Sequence, residues 1–172
     1  MTQSDEANIA SDFRQALRGV ASTVSIITAR HGDRHHGMTV TSVMSVSMSP
    51  PALAVCINRA TLLHGIMSAG TDFCINFLRE EQSDLSALFS NRLLAAERFR
   101  SGGWLLETGQ PGRLQDAQAS ILCAKSAQVE HGTHTLFIGD VVDVQACPTP
   151  EPLIYHNATY CRSQPWRAEA SA

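Results

Sequence analysis

Two successive strands are indicated by residues 44–57, which read Met44-Ser45-Val46-Ser47-Met48-Ser49-Pro50-Pro51-Ala52-Leu53-Ala54-Val55-Cys56-Ile57. Apolar and hydroxyl side chains alternate over its first half, which predicts a strand with one apolar face and one serine face. Pro50 and Pro51 end this strand, because proline has no N–H to donate to a neighbouring strand. The apolar run 52–57 is long enough for a second, buried strand. Two strands in close succession therefore predict a β-rich fold.

Further strands and short helices are predicted on both sides of this stretch. Apolar residues at helical spacing indicate a helix over 11–21, and a strand near 24–27 leads into a polar loop over 31–37. Thr61 can cap a helix that ends at Gly70. The other predicted elements are a strand at 73–78, a helix at 83–89, long strands at 119–129 and 136–146, and a last strand at 153–160. About seven strands and three helices predict a mostly β, antiparallel barrel with peripheral helices.

The bulk properties restrict the class of protein. A chain of 172 residues fits one domain, 1–172, for which we expect a core over 12–162 and flexible tails at 1–10 and 165–172. The net charge is −3 and Lys125 is the only lysine, so nucleic acid and anionic membranes are poor candidates as partners. No run of about 18 apolar residues or signal peptide is evident, which favours a cytoplasmic protein. The five cysteines are widely spaced and are expected to be reduced thiols.

Standard nucleotide-binding motifs are missing from the sequence. Neither G-x-G-x-x-G nor G-x-x-x-x-G-K-[ST] occurs, so a nucleotide would have to bind without either phosphate loop. The segment Gly37-Met38-Thr39-Val40-Thr41-Ser42, together with the serine face, offers hydroxyl and N–H groups to a planar cofactor. The alternative is an edge strand with a wet outer face.

A second candidate is Cys56-Ile57-Asn58-Arg59-Ala60-Thr61, where a buried strand leads into a helix. An amide, a guanidinium and a hydroxyl at this place could bind a phosphate. The alternative is a helix cap beside a solvated arginine.

Two further positions combine polar side chains with strand patterns. Asn76 lies inside an apolar strand and is either a satisfied buried amide or a group that lines a cavity. His131-Gly132-Thr133-His134 forms a turn between long strands, and without a nearby carboxylate or cysteine a metal site is not expected there. The histidines at 31, 35 and 36 are interpreted as solvent-facing.

The order of these motifs resembles the short-chain flavin reductase family. The resemblance runs from about residue 12 to 162 and is carried by the following segments: Phe13-Arg14-x-Ala16-Leu17, Val24-x-Ile26-Ile27-Thr28, Gly37-Met38-Thr39-Val40-Thr41-Ser42-Val43, Ser45-Val46-Ser47-x-x-Pro50-Pro51, Val55-Cys56-Ile57-Asn58-Arg59, Phe73-Cys74-Ile75-Asn76-x-Leu78, Gly132-Thr133-His134 and Leu153-Ile154-Tyr155. Residues 90–117 match poorly.

The resemblance implies an FMN-binding split β-barrel of Greek-key, antiparallel type that forms a homodimer. Such a protein reduces FMN or FAD with NADH or NADPH and passes the reduced flavin to a partner monooxygenase. Two other readings are a flavoenzyme like pyridoxamine-phosphate oxidase and a non-catalytic flavin-binding redox sensor.

The resemblance also implies roles for individual residues. Thr39, Val40, Thr41 and Ser42 would line the isoalloxazine, with Ser45 and Ser47 nearby. Asn58, Arg59 and Thr61 would hold the phosphate end, and Asn76, Phe77 and Leu78 would contact the ring. His134 would lie beside the nicotinamide. Val40 replaces the alanine usual in the family and is expected to crowd the flavin pocket.

Overall fold

Strands dominate the protein in a computed structural model that describes residues 3–165. The helices are α1 (Gln3–Arg18), α2 (Leu62–Ser68) and α3 (Ser83–Ser90), with short 3-10 helices at Glu80–Gln82 and Arg92–Glu97. The strands are β1 (Ser22–Thr23), β2 (Ser25–His31), β3 (Arg34–Val40), β4 (Val43–Met48), β5 (Pro51–Asn58), β6 (Phe73–Phe77), β7 (Trp104–Leu105), β8 (Arg113–Leu114), β9 (Ala119–His131), β10 (His134–Ala146), β11 (Leu153–His156) and β12 (Thr159–Arg162).

Seven strands form one antiparallel sheet in the order β3-β2-β6-β9-β10-β5-β4. Neighbours that are distant in sequence pair along this sheet, since β5 lies on β10 and β6 lies on β9. Two small sheets, β1-β11-β12 and β7-β8, flank it. The expectation of a mostly β, antiparallel split barrel with peripheral helices is confirmed.

The large sheet has a core on each of its faces. Ile27, Val55, Ile75 and Phe137 pack inside the barrel together with α2. Leu78, Phe89 and Leu114 belong to a second cluster, which joins α3 and the segment after it to the other face. The helix predicted after Thr61 is confirmed, because the Thr61 hydroxyl accepts a hydrogen bond from the N–H of His64 at 3.2 Å.

Lys125 ties β9 to the end of α2. Its ammonium donates to the carbonyl oxygens of Met67 at 2.8 Å and Ser68 at 3.2 Å. Those carbonyls belong to the last turn of α2, where carbonyl oxygens have no N–H partner within the helix and a nearby cation stabilises the helix end. The same ammonium lies 5.4 Å from the centre of the Phe137 ring.

The N-terminal helix was predicted with the wrong ends. It begins at Gln3 rather than near residue 11 and ends at Arg18, which leaves Val20 outside it. Acidic residues near the start of a helix and alanines within it favour helix formation, and these features of residues 4–10 outweighed their polarity. Pro165 is the only residue of the expected 165–172 tail that lies within the described residues.

Two predicted loop and strand assignments are also wrong. The polar segment 31–37 is not a loop, since β3 already begins at Arg34 after a tight turn at Gly32, whose φ is 58°. The last predicted strand is a hairpin, β11 and β12, folded at Asn157 and Ala158 with φ of 47° and 61°. Positive φ at both central residues is the geometry of a tight hairpin turn, and Asn157 is its sequence signal.

The alternation in β4 is interrupted by a register shift between Ser45 and Ser47. Its apolar side chains, at positions 44, 46 and 48, are exposed on the edge of the sheet rather than buried within the monomer. This strand therefore presents an apolar edge to the surroundings.

No helix among residues 3–165 is both long and apolar enough to pass through a membrane. All five cysteines are free thiols, as predicted.

Candidate functional site

Two loops that the sequence singled out lie side by side at one end of the barrel. The β5–α2 loop, residues 58–61, meets the β9–β10 turn, residues 131–134, because β5 and β10 are neighbouring strands. His134 is the register partner of Asn58, and the N–H of Arg59 donates to the carbonyl of Thr133 at 2.9 Å. The sheet thus brings the predicted phosphate residues and the predicted nicotinamide residue together.

Internal hydrogen bonds fix the shape of the β5–α2 loop. The side-chain oxygen of Asn58 accepts from the N–H of Ala60 at 2.9 Å, and the Thr61 hydroxyl donates to the carbonyl of Asn58 at 2.8 Å. These bonds occupy the side chains of Asn58 and Thr61 with the loop itself. Arg59 is the charged residue of this loop, and its side chain is half exposed.

Arg59 keeps accessible donors although it has an acidic neighbour. Its guanidinium lies 3.4 Å from the Glu130 carboxylate, and both side chains are about half exposed, at 50% and 52%. An exposed ion pair of this length is weak. The guanidinium can therefore exchange this partner for a phosphate, which it binds with a planar, forked set of donors.

The His134 ring is oriented by the residue before it. The Thr133 hydroxyl lies 2.9 Å from Nδ1 of His134, and both side chains are exposed. A partner on Nδ1 restrains the ring and leaves Nε2 directed away from the turn. His134 can thus offer one nitrogen to a bound molecule.

The β3–β4 segment separates its predicted residues onto different sides. The Thr39 hydroxyl donates to the carbonyl of Ser86 at 2.7 Å, and the Ser42 hydroxyl donates to the carbonyl of Cys56 at 2.9 Å. Thr41 is exposed. Val40 is buried in the barrel core, and the expectation that it crowds a flavin pocket stays a prediction.

The two serines of β4 remain near the sheet edge. Ser45 is exposed, and the hydroxyl of half-buried Ser47 accepts from the N–H of Ser49 at 3.1 Å. Their register partners are Leu53 and Ala52 on β5, well along the strand from the β5–α2 loop.

Asn76 is a satisfied buried amide, which settles the alternatives that the sequence left open. Its amide donates to the carbonyl of Ile26 at 3.1 Å, and its oxygen accepts from the N–H of Leu114 and the hydroxyl of Ser120, both at 2.8 Å. These bonds hold the segment that contains β8 against the sheet. The side chain has no free polar group for a flavin ring.

Leu78 is likewise a core residue. Its side chain is fully buried, its N–H donates to Val24 and its carbonyl accepts from Leu153, both at 2.9 Å. Phe77 is half-buried and packs beside the barrel core. Both residues serve the fold, and their expected contact with a flavin ring stays a prediction.

A cleft of about 410 Å³ opens beside the β5–α2 loop, and the sequence analysis missed most of it. Thr39 and Thr61 line it, as do side chains that were not expected to contribute: His35, His36, Arg92, Arg98 and Phe99. The histidines are half-buried rather than solvent-facing. Burial lowers the pKa of both imidazoles, and the nearby Arg30 lowers that of His35 further.

The cleft forms because residues 92–99 fold back over β3. The polar residues of segment 31–37 predict a loop, whereas the pairing of β3 with β2 shows that residues 34–37 belong to a strand. Pairing between strands is long-range information, which local periodicity does not carry.

Among residues 3–165, no three His, Cys, Asp or Glu side chains are grouped as a metal ion requires.

The flavin reductase like domain matches residues 17–164. The chain belongs to this family. The family match includes β1 through β12 and both loops of the candidate site.

Relatives of the family with assigned names are similar over most of their length. The reductase component of an FADH(2)-dependent resorcinol hydroxylase from Rhizobium sp. is 44% identical over 159 residues, which are 91% of this chain and 89% of that protein. The NADH-dependent FMN reductase RutF of Agrobacterium fabrum is 37% identical over 150 residues, 87% of this chain and 86% of that one. The styrene monooxygenase flavin reductase from Pseudomonas putida S12 superposes with a TM-score of 0.80 at 30% identity, covering 91% and 99% of the two chains.

Proposed function

We propose that this protein is an NAD(P)H-dependent flavin reductase that supplies reduced FMN or FAD to a separate monooxygenase. The family match over residues 17–164 carries this proposal. The contact between the β5–α2 loop and the β9–β10 turn supports it. This contact brings Arg59, which can bind a phosphate, close to His134, which can bind a second ligand. Two relatives have names that fit this function. One is the reductase component of a hydroxylase, and the other is an NADH-dependent FMN reductase.

The loop geometry fits the phosphate end of a flavin. Arg59 is the charged donor, while Asn58 and Thr61 keep the loop in shape. The isoalloxazine would then extend along the exposed ends of β3 and β4, past Thr41 and Ser42. Ser45 and Ser47 lie further along that edge.

The chain's own contribution to the reaction is orientation and electrostatic support. When bound, the flavin and the nicotinamide supply the redox chemistry, a hydride transfer between them. Arg59 holds the anionic end of the flavin, and His134 positions the nicotinamide through the nitrogen that Thr133 leaves free. No nucleophile is needed, and the exposed polar groups of the site suit a binding role.

Steady-state oxidation of NADH and of NADPH, followed at 340 nm with excess FMN or FAD, tests the activity. We expect a rate far above the enzyme-free blank with at least one pair of substrates. A protein that binds flavin without turnover would be a redox sensor, and that result would refute the proposal.

Arg59→Ala tests the phosphate site. We expect the affinity for FMN to fall about tenfold or more, because a charge-assisted hydrogen bond is lost, while riboflavin binding changes little. Arg100→Ala is the matched control, because Arg100 is exposed and its one ion pair within residues 3–165 is with Glu97. Equal losses for FMN and riboflavin would place Arg59 elsewhere.

His134→Ala tests the nicotinamide position. We expect a higher KM for the nicotinamide or a lower kcat, by about ten- to a thousandfold, with flavin affinity and melting temperature retained. His131→Ala is the control, since His131 is exposed at the other end of the same turn. Wild-type kinetics of His134→Ala would remove this residue from the site.

We further propose that the protein is a homodimer. Apolar side chains are exposed on β4, at Met44, Val46 and Met48, and along one face of α1. A symmetric partner would cover such surfaces. Sedimentation at micromolar concentration should give twice the mass of the chain, and a stable monomer that still reduces flavin would refute the dimer.

A further inference from the structure

His64, in the first turn of α2, is a half-buried imidazole to which the proposed reaction gives no role. Its Nε2 lies 2.8 Å from the hydroxyl oxygen of Thr135, a fully buried residue of β10. A hydroxyl at such a depth needs a hydrogen-bond partner, and the imidazole supplies one. The ring also packs edge-on against Phe137, with 5.6 Å between the ring centres. The imidazole is therefore held in one place by two contacts with β10.

His64 connects the two segments that make up the candidate site. Its backbone N–H donates to the hydroxyl of Thr61 at 3.2 Å, and Thr61 is the last residue of the β5–α2 loop. Its side chain bonds Thr135, the residue that directly follows His134 at the end of the β9–β10 turn. One residue thus holds the first segment through its backbone and the second through its imidazole.

The direction of the Thr135 side chain separates His64 from any bound molecule. Successive side chains of a strand point to opposite faces, and here Thr135 is buried towards α2 whereas His134 is exposed. Thr135 pairs with Ile57 of β5 and with Glu130 of β9, so its backbone lies between the two neighbouring strands. His64 therefore fixes the strand from which His134 projects and does not itself reach a ligand.

We propose that His64 is a positioning residue for hydride transfer, which acts through Thr135 to set the distance between the β5–α2 loop and the β9–β10 turn. This inference rests on the proposed function, because it takes the flavin phosphate to lie at the loop and the nicotinamide at the turn. His64 supplies neither a proton nor electrons to the transfer, in which the dihydronicotinamide is oxidised and the flavin is reduced. The rate of such a step depends steeply on the relative placement of the two reactants.

Three substitutions and one control test the role of this contact. His64→Ala removes the imidazole, and Thr135→Val removes the hydroxyl while it keeps the shape of the side chain. His64→Gln is the conservative variant, because its amide can place a nitrogen close to the position of Nε2. The control is Thr71→Val, which deletes a threonine hydroxyl that donates to the carbonyl of Ile66 in α2 at 3.1 Å, beyond the opposite end of the helix.

The rate of hydride transfer is measured in anaerobic single turnovers from the loss of flavin absorbance after mixing with NADH. We expect a fall of about tenfold or more in His64→Ala and in Thr135→Val, with the dissociation constants for FMN and for NAD+ close to those of the wild type. His64→Gln should recover most of the rate, and Thr71→Val should keep the wild-type rate. The double variant His64→Ala/Thr135→Val should be no slower than the slower single variant, because both substitutions remove the same contact.

The melting temperature of each variant separates positioning from a structural role. A lowered melting temperature with a wild-type rate in His64→Ala would overturn the inference, as would losses of rate that add in the double variant. Should His64→Ala fail to fold, Thr135→Val measured against Thr71→Val decides, and equal rates in those two proteins would also overturn it. A wild type that does not reduce FMN would instead refute the proposed function.

Discussion

Replacing Asn76 by alanine should destabilise the fold rather than alter flavin binding. The substitution removes three hydrogen bonds of 3.1 Å or shorter, those to Ile26, Leu114 and Ser120. The Leu114 N–H and the Ile26 carbonyl lose this partner in a buried environment, while the Ser120 hydroxyl keeps its bond to the Leu114 carbonyl at 3.0 Å.

The size of the loss follows from these orphaned groups. A buried polar group without its partner costs about 1–3 kcal/mol, so two of them predict a loss of about 3 kcal/mol in the free energy of unfolding. For a chain of this length, about 3 kcal/mol corresponds to a fall of roughly 6–12 °C in melting temperature.

Urea and thermal unfolding, monitored by circular dichroism, measure this loss. Asn91→Ala is the matched control, because the Asn91 side chain accepts one hydrogen bond, from the exposed N–H of Leu93. We expect that control to lose about 1 kcal/mol, as for a helix cap. Ser120→Ala is a milder variant at the same network, should Asn76→Ala fail to fold.

The measured pair of stability and flavin KM decides the role of Asn76. A loss below about 1 kcal/mol together with a raised KM for flavin would contradict the structural role, because the amide would then act on the ligand. Retained KM with a low melting temperature agrees with it.

Three further outcomes are expected. Gly139→Ala should lower the melting temperature by several degrees, because a Cβ there would lie 2.7 Å from the Cβ of Cys123. The control is Gly65→Ala in α2, where a Cβ meets nothing within 4 Å and should stabilise the protein by about 0.5–1 kcal/mol. Ala158→Gly should stabilise by about 1 kcal/mol in urea unfolding, since its φ is 61°, and unchanged stability would contradict the strain. Burial raises the pKa of the Cys74 and Cys123 thiols to about 12. A thiol reagent at pH 8 should therefore modify at most three cysteines in the native protein and five after unfolding. The free energy of unfolding should fall as the pH rises from about 9 towards 12, because the two thiols ionise more easily in the unfolded chain.

Local signals were enough for the elements whose cause is local. The cap at Thr61 and the end of α2 near Gly70 depend on residues a few positions apart, and the strand over Ala52 to Ile57 is an uninterrupted apolar run. The family resemblance also implied one site for the β5–α2 loop and the β9–β10 turn, and these two segments are in contact. Their contact is a property of the barrel topology that the resemblance implied.

The sequence left open, or missed, residues whose role is set by distant partners. Asn76 looks the same in sequence whether its amide faces a ligand or the segment around Leu114, and only the folded chain shows the second. His35 and Arg98 belong to segments with no clear period, and the cleft between them exists only after residues 92–99 pack on β3. Long-range pairing and packing decide such positions.

The position of Lys125 in β9 makes it possible to measure how the barrel opens. Because this is the only lysine, a lysine-specific endoprotease has one internal cleavage site, which lies in β9 opposite Gly139 of β10 and just beyond the residues that pair with β6. A protease needs an extended, detached segment, so β9 must leave both neighbours before it is cut. The rate of appearance of a single pair of fragments would therefore report the opening of the central sheet, with and without flavin.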